Sequence, residues 1–128
     1  MSRRVLAWVP ALAWAAAIYL VSARESVSIP SFWGADKVLH FGTYALLGFL
    51  LAHGAATSGL APRWAVALGW AYGASDELHQ AFVPGRSADP ADWAADALGV
   101  LAGTFAYACL VAWRRGRSRT PAMAGTDR

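Results

Sequence analysis

Four long apolar runs divide the chain, and short polar segments rich in turn-forming residues separate them. The runs cover residues 5–22, 38–56, 64–82 and 93–113. Each is close to the roughly 20 residues that an α-helix needs to cross a hydrocarbon core about 30 Å thick. Lone strands cannot satisfy their backbone polar groups in lipid, so helix is the expected structure. The pattern therefore predicts an all-α membrane protein, a bundle of four transmembrane helices.

The third run differs from the others in its last turns. It is cleanly apolar only from Trp64 to Ala74, and it reaches a full span at Phe82 only by including four polar residues, Asp76, Glu77, His79 and Gln80. Such residues are rare within transmembrane helices and usually face the bundle interior or a polar cavity.

Composition supports a membrane location. Hydrophobic residues make up 57% of the chain and charged residues only 15%, against about 25% charged in typical soluble domains. The seven Trp residues suit membrane interfaces, where the indole ring is apolar and its N–H meets water. The formal charge of +3 does not indicate nucleic-acid binding, because the arginines lie at the ends of apolar runs. The bilayer is the predicted partner, and no nucleic acid is expected.

The basic residues predict the orientation. With four spans, both termini and the loop at residues 59–63 share one side, which holds eight of the eleven Lys and Arg residues. By the positive-inside rule the termini are cytoplasmic, and the protein is a multi-pass protein of the cell membrane. Residues 1–118 form one predicted domain, and residues 119–128 form a short disordered tail. The first run also fits a cleavable secretory signal, whose removal would leave three spans in the same orientation.

This topology brings polar residues from separate stretches to the outer membrane face. The second and fourth runs begin there, and the third ends there. The candidate pocket residues are Lys37, His40, Asp76, Glu77, His79, Gln80, Arg86, Asp92 and Asp96. Helical spacing puts Asp76 on one face with His79 and Gln80, whereas Glu77 points elsewhere. The cluster predicts either a ligand pocket or a network that only locks the helices together.

Two further patterns concern packing and metals. Gly69 with Gly73, and Gly99 with Gly103, form Gly-x-x-x-Gly pairs that allow close helix approach in lipid. Close packing of the third and fourth runs would bring their acidic ends together. Metal-ligand residue types occur in the cluster, but no His-Glu-x-x-His or paired-cysteine spacing appears, so no metal site is predicted.

Two motifs in this cluster resemble those of a known family. The first is residues 36–41, Asp-Lys-Val-Leu-His-Phe, followed by Tyr44. The second is residues 75–86, Ser-Asp-Glu-Leu-His-Gln-Ala-Phe-Val-Pro-Gly-Arg, followed by Asp92, Gly99 and Gly103. Both resemble the motifs of the VanZ-like family of small membrane proteins. Asp96 departs from that pattern, since the family usually has Asn there, and the extra acid changes the charge of the pocket.

The resemblance implies a role in the cell envelope. The namesake of the family is associated with low-level resistance to teicoplanin, a lipid-bearing glycopeptide that acts at the outer membrane face. The leading hypothesis is therefore an outer-leaflet pocket that engages a lipid-linked cell-wall precursor or the glycopeptide. Lys37 and Arg86 would bind phosphate or carboxylate, while residues such as Gln80 would orient the ligand.

Two alternatives remain open at this point. One is an intramembrane enzyme that acts on a lipid headgroup, with Glu77 or His79 as general acid or base. The other is a structural partner subunit in which the cluster only pins helices. The sequence predicts neither a cofactor nor an oligomeric state.

Overall fold

The computed structural model describes residues 2–25 and 34–118 of the chain, and its regular structure there is entirely helical. The helices are α1 (Arg3–Leu6), α2 (Val9–Ser22), α3 (Ala35–Thr57), α4 (Pro62–Gln80) and α5 (Pro90–Arg117). The predicted all-α class is confirmed. The predicted disordered tail at residues 119–128 lies outside the described residues.

Three stretches are long and apolar enough to cross a membrane, and they match three of the predicted spans. They are Arg3–Ser22, Ala35–Thr57 and Pro90–Arg117. The third predicted span corresponds to α4, which has 19 residues but is not apolar enough to be counted among these stretches. The polar residues of its last turns, at positions 76–80, account for the difference.

Proline and capping residues set the helix boundaries. Pro62 and Pro90 occupy the first positions of α4 and α5, where the missing N–H is not needed and φ is already helical. The Asp89 side chain caps α5 by accepting a hydrogen bond from the Ala91 amide at 2.9 Å. The helix breaks between α1 and α2, just before Pro10, because proline cannot donate the backbone hydrogen bond that a continuous helix requires.

Gly59 ends α3. Its φ of +76° lies in the left-handed region, which glycine adopts without steric cost. The next amide, of Leu60, donates to the carbonyl of Ala55 at 2.8 Å, and the Gly59 amide donates to Ala56 at 3.1 Å. These are the two hydrogen bonds of a Schellman motif, and they satisfy carbonyls that the helix end leaves open.

The closest packing in the bundle joins α3 to α5. A Cβ atom added at Gly99 or at Gly103 would collide with the backbone carbonyls of Phe41 and Ala45, respectively. A Cβ at Gly48 would likewise collide with the backbone of α5. The predicted glycine pair of α5 thus contacts α3 rather than α4, and the two backbones touch directly.

Helix α4 packs against the same junction through its own glycine pair. A Cβ at Gly69 would lie 2.7 Å from the methyl groups of Val100, which is fully buried. A Cβ at Gly73 would lie 3.3 Å from the Tyr44 ring. The expected approach of α4 to α5 therefore occurs, but against a side chain and not against bare backbone.

Polar side chains attach α2 to the other helices. Trp14 Nε1 donates to the Thr43 carbonyl at 3.0 Å, and the Tyr72 hydroxyl donates to the Ala15 carbonyl at 2.6 Å. Large apolar residues point outward on several helices, including Leu12, 67% exposed, and Phe105, 71% exposed. An outer surface of this kind suits contact with lipid chains.

We expect Gly103→Ala to destabilise the protein by about 1–3 kcal/mol, the usual cost of overpacking a tight contact. The new methyl would force α5 away from the Ala45 carbonyl. Thermal unfolding in detergent, followed by circular dichroism, measures the effect. Gly42→Ala is the matched control, since a Cβ there meets nothing within 4 Å. Equal melting temperatures for the two variants would contradict the close backbone contact.

Candidate functional site

The nine candidate residues lie at one end of the bundle. This end is formed by the first turns of α3, the last turns of α4, the following loop and the first turns of α5. The antiparallel course of the helices brings these segments together, as the sequence predicts. Their side chains nevertheless fall into three separate groups of contacts.

Lys37 forms the first group. Its ammonium donates to Asp36 Oδ2 at 2.9 Å, to Asp89 Oδ2 at 2.7 Å and to Asp92 Oδ1. An ammonium group has three donors, and here each has a carboxylate acceptor. The hydrogen bond from Lys37 holds the pKa of the Asp89 carboxyl below its ordinary value. Lys37 thus connects the start of α3 to the start of α5.

His40 forms the second group, one turn deeper in α3. Its Nδ1 lies 2.8 Å from Asp96 Oδ1, and its Nε2 lies 3.6 Å from Asp92 Oδ2. Asp96 is 1% exposed. A carboxylate this deep is costly without a partner, and the imidazole supplies one.

A chain of hydrogen bonds centred on Asp76 and Gln80 forms the third group. Asp76 Oδ2 accepts from the Tyr44 hydroxyl at 3.1 Å and from Gln80 Nε2 at 3.4 Å. Arg86 donates to Gln80 Oε1 at 2.9 Å. Gln80 Nε2 also lies 3.4 Å from the Ser22 hydroxyl, which brings α2 into the site. The predicted common face of Asp76 and Gln80 is present.

Glu77 and His79 take no part in the hydrogen bonds of these three groups. Glu77 Oε2 accepts from the Asp89 amide at 3.0 Å, which ties the end of α4 to the loop before α5. The ring of His79 lies against Tyr19 of α2, with centroids 4.8 Å apart. His79 forms no hydrogen bond or ion pair with the other candidates among the described residues.

A cavity of about 300 Å³ opens between α2, α3 and α4 beside the third group. Its apolar walls include Trp14, Ile18, Val21 and Leu39. Its charged and amide-bearing lining residues are Asp36, His40, Asp76, Gln80 and Arg86, and Ser22, Thr43 and Tyr44 add hydroxyl groups. Four of the nine candidates thus line the cavity. The remaining five, Lys37, Glu77, His79, Asp92 and Asp96, do not. An apolar space with polar groups at one end is suited to an amphiphile.

The sequence did not single out some residues of this site. Ser22, Trp14 and Ile18 come from the first apolar run, where nothing distinguishes a cavity wall from a lipid-facing position. Asp36 and Tyr44 are part of the first motif, but their contacts depend on how α3 is rotated in the bundle. Helix rotation is set by packing and is not visible in the residue pattern alone.

We expect Lys37→Met to lower the melting temperature by several degrees at neutral pH, because three carboxylates lose their shared cation. Lys37→Arg keeps the charge and should retain most of the stability. A depressed carboxyl pKa stabilises the fold above the unfolded value and loses that contribution as the pH falls through the folded value. The difference between wild type and Lys37→Met should accordingly shrink below about pH 4. Melting curves between pH 3 and pH 8 test this, and a constant difference would contradict it.

Comparison with known proteins identifies the family. The family model described as VanZ/LLP1 matches residues 2–112, which include every residue of the site. Neither the curated proteins nor the solved structures give a match to the chain. The family match agrees with the two motifs that contribute to the site. Because it covers most of the chain, this protein belongs to the VanZ-like family of membrane proteins.

Proposed function

We propose that this protein binds an amphiphile with an anionic headgroup at the outer leaflet of the cell membrane. The observation that carries the proposal is the cavity, which joins apolar walls to a polar end containing Arg86. An acyl or prenyl chain would lie along the apolar walls, and the headgroup would meet Arg86. A lipid-linked cell-wall precursor and a lipid-bearing glycopeptide both have this chemistry.

Arg86 is the residue of the site best suited to bind an anion. It donates to the neutral oxygen of Gln80 and forms no ion pair with any residue in the described part of the chain. Its remaining N–H groups can bind phosphate or carboxylate in bidentate fashion. Gln80, 2% exposed, is itself held by Asp76 and Ser22, so the guanidinium is oriented before a ligand arrives.

Lys37 has a different role in this proposal. All three of its donors contact carboxylates, and it does not line the cavity. A ligand anion would have to displace one of those carboxylates to reach it. We therefore assign Lys37 to positioning α3 against α5, and Arg86 alone to the anion.

The carboxylates in the cavity limit the kind of headgroup. Asp36 is paired with Lys37, and Asp76 is hydrogen-bonded by Tyr44 and Gln80. Their negative charge disfavours a second anionic group beside them but offers acceptors to hydroxyl, amide or ammonium donors. A headgroup that presents one anionic group to Arg86 and several hydrogen-bond donors to the carboxylates fits best. The volume of about 300 Å³ is at the lower end for ligand pockets, so only the part of a large ligand next to its headgroup would be enclosed.

Binding is better supported than catalysis. The enzyme hypothesis needs Glu77 or His79 beside the reacting atoms, but neither side chain lines the cavity. Glu77 is engaged by the Asp89 amide, and His79 stacks on Tyr19. A role in glycopeptide resistance would follow from capture of a precursor or drug at the outer leaflet.

The proposal includes four transmembrane helices with cytoplasmic termini. Helix α4 is long enough to span, and it packs within the bundle against α3 and α5. Of its polar residues, Asp76, Glu77 and Gln80 are buried. The basic residues at the opposite end favour a cytoplasmic location for that end. This orientation places the cavity at the outer membrane face.

We expect Ser87→Cys to react with a membrane-impermeant thiol reagent in intact cells or spheroplasts. Thr57→Cys, at the opposite end of α3, should react only after permeabilisation. Both positions are exposed, and both variants are made in a Cys109→Ser background that removes the native thiol. The reverse labelling pattern would overturn the orientation.

We expect a lipid-linked cell-wall precursor to raise the melting temperature of the detergent-purified wild type. Arg86→Gln should lose this shift and bind at least tenfold more weakly, consistent with about 1.5–3 kcal/mol for a hydrogen bond to a charged group. Arg24→Gln is the matched control, since Arg24 is exposed near the same end of the bundle. Ala17→Trp should also abolish the shift by filling the apolar part of the cavity.

The same measurement with the headgroup alone, without its lipid chain, shows how much of the stabilisation comes from each part of the ligand. A teicoplanin-type glycopeptide, tested in the same way, distinguishes drug from precursor. Wild type that responds to neither amphiphile, or Arg86→Gln that responds as wild type does, would overturn the proposed function.

A further inference from the structure

We propose that His40, Glu77 and Asp96 form a binding site for one divalent transition-metal ion, Zn²⁺ or Mn²⁺. This site does not include Arg86, the residue proposed to bind the anionic headgroup, and it does not depend on the proposed amphiphile binding. Each residue comes from a different helix, namely α3, α4 and α5. The site therefore exists only when the bundle is assembled.

The donor atoms are close enough to share one ion. One ring nitrogen of His40 and one carboxylate oxygen each from Glu77 and Asp96 lie within 4.8 Å of one another. Metal–nitrogen and metal–oxygen bonds of about 2.1 Å require donors roughly 3–4 Å apart. Small side-chain rotations at the ends of the three helices would close the difference.

Two buried oxygens point to a ligand independently of this spacing. Glu77 Oε1 and Asp96 Oδ2 are inaccessible to solvent and have no hydrogen-bond partner in the described part of the protein. Glu77 is 7% exposed and Asp96 is 1% exposed. An unpartnered buried carboxylate oxygen costs several kcal/mol when the group is ionised. A bound cation would satisfy both oxygens at once.

The charge balance favours a cation at the same place. The first turns of α3 and α5, the last turns of α4 and the loop between α4 and α5 contribute six carboxylates, those of Asp36, Asp76, Glu77, Asp89, Asp92 and Asp96. Lys37 and Arg86 are the permanent cations among them. Lys37 is shared by three acids at the rim, and Arg86 donates to Gln80. Glu77 and Asp96 are left with His40 alone, so a divalent ion would offset the remaining negative charge.

The donor set indicates the class of metal. A histidine nitrogen with two carboxylate oxygens suits Zn²⁺ or Mn²⁺, whereas Ca²⁺ and Mg²⁺ prefer oxygen ligands only. Both nitrogens of His40 face carboxylates, Asp96 at Nδ1 and Asp92 at Nε2. If Nε2 binds the ion, Nδ1 keeps its hydrogen bond to Asp96 Oδ1 at 2.8 Å, an arrangement that orients histidine ligands in metal sites.

The test uses the full-length protein, purified in detergent and stripped with EDTA, without any lipid ligand. We expect it to bind one Mn²⁺ per chain, as measured by the loss of the free Mn²⁺ electron paramagnetic resonance signal, and Zn²⁺ to compete. Glu77→Gln and Asp96→Asn should each weaken binding at least tenfold. Glu25→Gln, an exposed position outside the cluster, should leave binding unchanged.

A second readout does not depend on the stability of those variants. Bound Mn²⁺ in the wild type should show electron spin-echo modulation from a directly bonded histidine nitrogen, and His53→Gln should keep this coupling. Arg86→Gln should also retain Mn²⁺ binding, so failure of the metal site and failure of amphiphile binding are distinguishable. Folded wild type that binds no Mn²⁺ or Zn²⁺, or that binds without nitrogen coupling, would overturn the proposal.

Discussion

Direct contact between the backbones of α3 and α5 is the constraint on which the polar end of the bundle depends. Gly99 and Gly103 have no side chain to separate α5 from the carbonyls of α3, and Gly48 allows the same approach from the other helix. Because the axes come this close, Lys37 reaches Asp92 and His40 reaches Asp96 within hydrogen-bonding distance. Larger residues at these positions would separate the acids from their cations and leave charges unpaired in a medium of low dielectric constant.

The carboxylates at this end are stabilised in different ways, and the differences define what the site can do. Lys37 neutralises the acids at the rim, while Tyr44 and Gln80 donate hydrogen bonds to Asp76. These contacts connect the helices to one another. They also leave Arg86 available at the cavity. A structural network and the proposed ligand pocket therefore share this end of the bundle, and the network orients Gln80 and Arg86 at the cavity.

His40 belongs both to the cavity lining and to the proposed metal triad. A divalent ion held with Glu77 and Asp96 would place positive charge behind the cavity wall, opposite to the local excess of acids. Such a charge would strengthen attraction of a phosphate or carboxylate headgroup in a site with little water. The two proposals thus act in the same direction, although each rests on its own contacts and has its own test.

The sequence by itself determined the helical class, three of the predicted spans and the family, because apolar length, turn residues and the two motifs are all local properties. It also predicted that the polar residues lie at one end of the bundle, because short loops force successive helices to run in opposite directions. Only the tertiary structure decided which side chains and helices contact one another. The contact of Gly103 with α3, the stacking of His79 on Tyr19 and the contribution of Ser22 to the site all depend on the rotation of each helix about its axis. That rotation is fixed by packing against neighbouring helices, which no residue pattern within a single helix specifies.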